Sequence, residues 1–240
     1  MAYDWQQQEG VGQDAIDRSD DARNALAATF MNRVFSWMAA GLTTSGLVAW
    51  LTMSNEGLYN IARGLYLPIM IVQLVMVIAI SAGLRKFSAT TAGALFIAYS
   101  ALMGVTLGLI VSMYTGASVA NVFFVTAGTF TAMSVIGATT KRDLSNFGGM
   151  LMMGVIAIII ASVVNIFLNS SGLQFAVSII GVLIFTGLTA VDSQRFRKMG
   201  YMGFADERQA GQMAIHGALN LYLDFINMFL FMLRIFGGRR

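Results

Sequence analysis

Apolar residues in this chain come in long runs separated by short polar segments, without the alternation typical of strands. A helix that crosses a membrane needs about 20 mostly apolar residues, and the runs reach or approach that length. They cover 30–53, 66–84, 91–113, 117–138, 147–168, 173–194 and, with more polar residues, 212–236. Lipid offers the backbone no hydrogen-bond partners, and the runs are too long for barrel strands. The pattern predicts an all-α polytopic membrane protein, a bundle of seven transmembrane helices. Six are strongly apolar, and the semi-polar seventh could cross or re-enter, with crossing favoured.

Composition supports the membrane assignment and leaves no room for a separate soluble domain. Of the 240 residues, 57% are hydrophobic and 11% charged. The chain has no Cys, which excludes disulfides, thiolate metal sites and Cys nucleophiles. The first 28 residues are polar and lack the basic and apolar regions of a signal peptide. We therefore expect a flexible cytoplasmic tail over 1–28 and a seven-helix domain over 29–240.

The positions of Lys and Arg predict the orientation, because cytoplasmic loops carry an excess of both. Of the fifteen Lys and Arg, eleven lie on the side of the N-terminus if all helices cross. These are Arg18, Arg23, Arg33, Arg85, Lys86, Lys141, Arg142, Arg195, Arg197, Lys198 and Arg208. The other side has Arg63 and, against the rule, Arg234, Arg239 and Arg240. The N-terminus is therefore predicted to be cytoplasmic. Since the basic residues set topology in this way, nucleic-acid binding gets no support.

Only two of the acidic residues, Asp192 and Asp224, fall inside apolar runs. A charge at the centre of a membrane helix costs roughly 2.5–3.5 kcal/mol on insertion scales, and such residues usually mark a path for ions or protons. Asn220, Asp224 and Asn227 recur at helical spacing and form one polar stripe, while Thr189 and Asp192 share a face of the preceding helix. If the two helices are antiparallel neighbours, the carboxylates could share a proton and respond to pH as a unit.

Several features also have plainer interpretations. Each Asp could simply pair with a basic residue or cap a backbone group. His216 is more typical of an interfacial or helix-packing residue, and the Gly104 and Gly108 pair is typical of close helix packing. An intramembrane aspartyl protease would also need two membrane-embedded carboxylates. The chain has "LYLD" where such enzymes have Gly-x-Gly-Asp, so we do not expect an enzyme, and no motif indicates a cofactor.

The same two helices carry a resemblance to a known family. "FTGLTAVDSQRFRKM" at 185–199 and "ALNLYLDFINMFLFMLRIFG" at 218–237 resemble the paired signature of the Bax inhibitor-1 (transmembrane BAX inhibitor motif) family in its bacterial form. "KRDLSNFGGMLMMG" at 141–154 and "NIFLNSSGLQFAVSIIG" at 165–181 extend the resemblance, which covers about 30–237. It implies seven helices, one of them central. The lack of Cys and of a targeting peptide favours a bacterial inner membrane, with an organellar membrane as the alternative.

The resemblance also implies a function, a calcium leak governed by a di-aspartyl pH sensor at Asp192 and Asp224. The family's gating arginine matches Arg85, with Lys86 as the alternative. Members often carry Glu where this chain has Gln73, which removes one possible cation ligand. A calcium ion held by the two carboxylates would take further oxygens from Asn220, Asn227, Thr189 and water, because Ca²⁺ prefers six to eight. These three residues are the candidates for the ion pathway.

Two other activities stay open at this stage. Coupled exchange of calcium for protons would use the same residues as a leak. Alternatively, the protein regulates other membrane proteins, such as a membrane-bound AAA protease in bacteria or the cell-death machinery in eukaryotes, both of which are associated with the family. The expected partners are therefore the lipid bilayer, calcium ions and protons, and such a protease.

Overall fold

The computed structural model describes residues 5–83 and 87–240, with side chains from residue 19 onward. Within these residues the chain is helical, and seven helices are long and apolar enough to cross a membrane. This confirms the predicted all-α bundle of seven transmembrane helices. The helices are α1 (Trp5–Ser54), α2 (Glu56–Gly64), α3 (Tyr66–Gly83), α4 (Ala89–Val111), α5 (Gly116–Thr139), α6 (Ser145–Leu168), α7 (Ser171–Met202) and α8 (Glu207–Phe236).

The helices differ from the predicted spans mainly at their cytoplasmic ends. α1 runs without a break through residue 28, where the sequence suggested the end of a tail. Ala27 in this extension is fully buried, and Asn24 accepts a hydrogen bond from Arg197. α7 continues eight residues beyond the predicted end, to Met202. Apolar length identifies the part of a helix that lies in lipid, and both helices project beyond that part. The tail and domain boundary at 28 stays a prediction.

α8 occupies the centre of the bundle and packs against α1, α4, α5 and α7. It is a single helix of 30 residues, about 45 Å long at 1.5 Å per residue. That length is sufficient to cross the membrane without re-entering. α6, by contrast, packs mainly on α7 and leaves most of its apolar side chains exposed. The semi-polar helix is therefore surrounded by protein, and the most apolar one faces lipid.

Glycines allow the closest approaches between helices. A Cβ on Gly104 would lie 2.7 Å from the carbonyl oxygen of Ser45, and one on Gly108 would lie 2.9 Å from that of Ala49. The predicted close packing at this glycine pair is confirmed, and its partner is α1. α5 approaches α7 even more closely, because a Cβ on Gly137 would meet the Ala190 carbonyl oxygen at 2.1 Å.

Polar residues in the short loops fix where the helices begin and end. Their side chains accept hydrogen bonds from otherwise unpaired N–H groups in the first turn of the next helix. The capping residues are Asn55, Ser88, Thr115, Ser170 and Asp206. Asn169 directly follows the end of α6 and Gly203 directly follows the end of α7, both with positive φ. This backbone conformation, which Gly and Asn tolerate best, stops each helix.

Candidate functional site

The candidate site lies between α7 and α8, which pack side by side in opposite directions. Two glycine contacts fix the register of the pair. A Cβ on Gly181 would touch the ring of Phe231, and one on Gly217 would touch the ring of Phe196. A step of one residue towards the C-terminus of α7 therefore corresponds to a step of about one residue towards the N-terminus of α8.

This register brings the two predicted carboxylates to nearly the same depth. Counting from the contact of Gly217 with Phe196, Asp224 lies level with Thr189, and Asp192 lies three residues further along α7. Three residues correspond to about 4.5 Å along a helix axis. Two charges at such a small difference in depth interact strongly in the low dielectric of a membrane interior. The hypothesis that antiparallel helices bring the two residues together therefore fits the structure.

The two carboxylates have different surroundings. Asp224 is only 5% exposed, and its Oδ2 atom has no hydrogen-bond partner among the side chains that the structure describes. Asp192 is half-buried, and Arg195 on the next turn of α7 acts on it electrostatically. A buried carboxylate oxygen without a partner is costly, whereas the half-buried Asp192 faces a nearby cation. The plain interpretation, an Asp paired with a base, suits Asp192 better than Asp224.

The remaining predicted residues fall into three groups. Thr189 is fully buried, and its hydroxyl donates to the Phe185 carbonyl, 2.8 Å away on the same helix. Asn220 and Asn227 are half-buried on α8, one turn to either side of Asp224. Arg85 and Lys86, the candidates for the gating cation, lie outside the described residues.

The described residues contain no cluster of three or more His, Asp or Glu side chains that would form a preassembled metal site. The acidic donors at the candidate site are therefore the two aspartates. Gln73 stands where the resemblance led us to expect a Glu in many family members. Its side chain is buried, and Nε2 donates to the Thr106 hydroxyl at 2.8 Å. It links α3 to α4 and contributes no negative charge.

On the cytoplasmic side, as assigned by the positive-inside rule, the loop between α5 and α6 is bound to α7. Gln194 donates to the Arg142 carbonyl at 2.7 Å and accepts from the Leu144 N–H at 2.8 Å. Lys198 pairs with Asp143 at 2.7 Å. Hydrogen bonds from Lys198, and then from Ser145, hold the pKa of the Asp143 carboxyl well below its usual range.

A second interaction between these elements involves Arg197, which donates to the Ala138 carbonyl at the end of α5. Gln194, Arg197 and Lys198 all belong to the stretch that carries the family resemblance. Their contacts hold the loop against α7 within two turns of Asp192.

The sequence did not reveal a buried hydroxyl cluster near the centre of the bundle. Ser45 Oγ on α1 lies 2.6 Å from the Tyr222 hydroxyl on α8 and donates to the Ser100 carbonyl on α4 at 2.7 Å. The Tyr222 ring also packs edge-on against Phe96 and Tyr99. Tyr222 lies two residues before Asp224, so this cluster fixes the position of the helix that carries the deeper carboxylate. The one available signal was a tyrosine, a residue with a polar hydroxyl, within the semi-polar run.

Further buried polar atoms lie on α5, α7 and α8. Ser134 Oγ on α5, Ser193 Oγ on α7 and His216 Nδ1 on α8 have no partner among the described side chains. The His216 ring packs edge-on against Phe196, 6.0 Å between centroids, in agreement with a helix-packing residue. Polar atoms without protein partners in a membrane interior are typical of a region that admits water or ions.

Comparisons with known proteins agree with the pattern of helices and motifs. Residues 27–240 match the model of a family described as inhibitor of apoptosis-promoting Bax1. The chain is 46% identical over 233 residues to the inner membrane protein YbhL of Escherichia coli K12, which covers 95% of this chain and 100% of the relative. It is 47% identical over 229 residues to an uncharacterized protein of Borreliella burgdorferi, covering 94% and 99%. With an uncharacterized protein of Deinococcus radiodurans it shares 46% over 211 residues, covering 88% and 91%.

Proposed function

The chain belongs to the Bax inhibitor-1 family and is an integral inner membrane protein, and from this premise we propose that it is a pH-sensitive cation leak. The transported ion in this proposal is calcium, and the gate is the pair Asp192 and Asp224. The observation that carries it is the buried Asp224, whose Oδ2 has no partner among the described residues and which lies within one helical turn of the depth of Asp192 on the antiparallel helix.

Protonation of the pair supplies the pH response. Two carboxylates this close in a membrane interior cannot both ionise cheaply, so they take up and release a proton as a unit. The proton-bound pair carries one negative charge fewer than the fully ionised pair. The fully ionised pair attracts a cation more strongly, whether that cation is a basic side chain or a passing Ca²⁺.

Calcium enters this scheme as substrate rather than as a resident cofactor. The carboxylates and the amide oxygens of Asn220 and Asn227 are ligands that Ca²⁺ prefers, but fewer than the six to eight it takes. Water must complete the shell, so the ion is held weakly. Weak binding suits a conducting site, because an ion must be able to leave.

The test is calcium flux into proteoliposomes at several values between about pH 6 and pH 8, on either side of neutral pH. We expect pH-dependent flux for the full chain and a flattened response for Asp192→Asn and for Asp224→Asn. Asp21→Asn is the matched control, since Asp21 is an exposed carboxylate on α1, outside the pair and outside the contacts of the α5–α6 loop. Its pH dependence should be that of the unchanged chain. Background flux in all four proteins, with intact folding by circular dichroism, would refute the proposal.

Two further measurements separate the alternatives. A pH-sensitive dye inside the liposomes distinguishes a leak from exchange, because only exchange moves protons out as calcium enters. A regulatory protein would lose its effect on a membrane-bound protease when the N-terminal segment is removed, with flux unchanged. The deletion should stop at residue 18, since Asp20 accepts a hydrogen bond from Tyr201 at 2.7 Å and Ala27 is buried against α7.

A further inference from the structure

An apolar cleft of about 530 Å³ lies on the non-cytoplasmic half of the bundle, and its floor begins at Phe225, the residue after Asp224. α1 and the end of α4 form one wall, α5 forms the other, and the central helix α8 forms the floor. The residues that line it are mostly aliphatic or aromatic. Among them are Ala49, Trp50, Val119, Phe123, Phe225 and Phe229.

The cleft opens towards the surrounding membrane. Trp50 on one wall is 63% exposed and Phe124 on the other is 71% exposed, although both line the cleft. Gly46 and Gly116 widen it, because a Cβ at either position would meet no other atom within 4 Å. Cavities of 300–1,000 Å³ with apolar walls are the usual size for small-molecule sites. In a bilayer, the molecules that reach such an opening are lipids.

The mouth of the cleft is next to a segment fixed by backbone hydrogen bonds. Residues 238–240 pair with the loop between α4 and α5, where Thr115 N donates to the Gly238 carbonyl and Arg240 N donates to the Met113 carbonyl, both at 3.0 Å. Tyr114 in this loop lines the cleft and forms a bridge with Arg239. The last two arginines are thereby held at the edge of the opening.

The short helix α2 shows that this edge lies at the level of the membrane surface. α2 is amphipathic, with Glu56 and Arg63 on it as well as the exposed apolar residue Ile61. Such helices lie in the interface plane between water and lipid. Tyr59 of α2 is 3.4 Å from the Ser112 hydroxyl at the end of α4, two residues before Tyr114. Arg239 is therefore at headgroup depth.

The charges at this edge are unusual for their side of the membrane. Arg239 and Arg240 are exposed, and neither takes part in an ion pair with the described residues. The positive-inside rule disfavours cations here, which is why the sequence left them unexplained. An anion at headgroup depth would neutralise them.

We propose that the cleft binds one anionic phospholipid, with an acyl chain between α1 and α5 and the headgroup phosphate beside Arg239 and Arg240. The two parts of the ligand match the two parts of the site. Apolar walls open to the bilayer fit the chain, and two cations at the mouth fit the phosphate, since Arg binds phosphate with a planar fork of donors. A free fatty acid or a detergent would use the cleft without needing both arginines.

Native mass spectrometry of the full chain in detergent, titrated with phosphatidylglycerol or phosphatidylcholine, tests the proposal. We expect one phosphatidylglycerol to bind more tightly than those that follow, and no comparable first step for phosphatidylcholine. The double variant Arg239→Gln and Arg240→Gln should bind this lipid about 30-fold more weakly, about five-fold for each lost cation near a membrane surface. Gly46→Phe should abolish the tight step by filling the cleft.

Gly149→Phe is the matched control for the cleft variant. Gly149 is exposed on α6, where an added Cβ also meets no atom within 4 Å, but it does not line the cleft. It should keep the tight step. Equal binding of the two lipids would overturn the proposal, as would a tight step that survives Gly46→Phe. If Gly46→Phe removes binding while the arginine variant keeps full affinity, the cleft holds an acyl chain only, and the headgroup site is refuted.

Discussion

The contact between α5 and α7 at Gly137 allows a stability prediction with a clear magnitude. In Gly137→Ala the new Cβ would start 2.1 Å from the Ala190 carbonyl oxygen, whereas ordinary van der Waals contact begins at 3.4 Å. The helices must separate by about 1.3 Å, because the obstacle is backbone and no side-chain rotation removes it. Overpacking of this kind typically costs 1–3 kcal/mol. We expect Gly137→Ala to be destabilised by about that amount.

Gly128→Ala on the same helix is the matched control, since an added Cβ there meets no atom within 4 Å. It should be neutral or slightly stabilising, because Ala is favoured over Gly in a helix by up to about 1 kcal/mol. The assay is reversible unfolding in mixed micelles with increasing dodecyl sulfate, followed by circular dichroism. Ala190 lies two residues before Asp192, so the variant should also change the pH dependence of flux. A Gly137→Ala protein as stable as Gly128→Ala would refute the reasoning.

Two other predictions concern polar contacts between elements. The Gln73→Leu and Thr106→Val variants should each be destabilised, and a double-mutant cycle should give a coupling of about 0.6 kcal/mol, the average for hydrogen bonds between membrane helices; additive effects would contradict the bond. Lys198→Met should raise the pKa of Asp143, as measured by NMR titration, because the hydrogen bond from Lys198 is lost. The pKa should stay below its usual value, because the hydrogen bonds from Ser145 remain. The depressed pKa of Asp143 adds stability that is complete above about pH 4, the ordinary carboxyl value, and is lost on acidification below it. The variant should therefore lose less stability than the parent between about pH 4 and pH 3, and equal losses would contradict the role of Lys198.

The sequence was sufficient for the number and positions of the spans, since apolar length is a local property. It also identified Asp192 and Asp224 as candidates, because a carboxylate within an apolar run is conspicuous. α8 is, after α1, the least hydrophobic of the seven spans, and protein rather than lipid surrounds it. Polar residues cost less there. The polar residues within α8 thus agree with a protein environment, but the residues alone distinguish neither a central helix nor a re-entrant segment.

Contacts between distant residues could not be predicted in the same way. Ser45 and Tyr222 are 177 residues apart, and nothing around Ser45 indicates a tyrosine partner. Gln73 likewise looked like a lost cation ligand until its bond to Thr106 was seen. Such pairs depend on helix register, and one sequence without structural information does not determine it. The backbone bridge between Arg239 and Tyr114 at the mouth of the cleft is another example.

The central position of α8 has a consequence for biogenesis. The chain is synthesised from its N-terminus, so α8 emerges from the ribosome after all the helices that surround it in the folded protein. The earlier helices must therefore stay loosely associated in the membrane, or separate again, until α8 arrives. In the last step of assembly, α8 leaves the translocon or the lipid and packs against the other helices. A chain stalled before α8 would expose the glycine and hydroxyl faces of its neighbours, which is the surface that membrane quality-control factors would encounter.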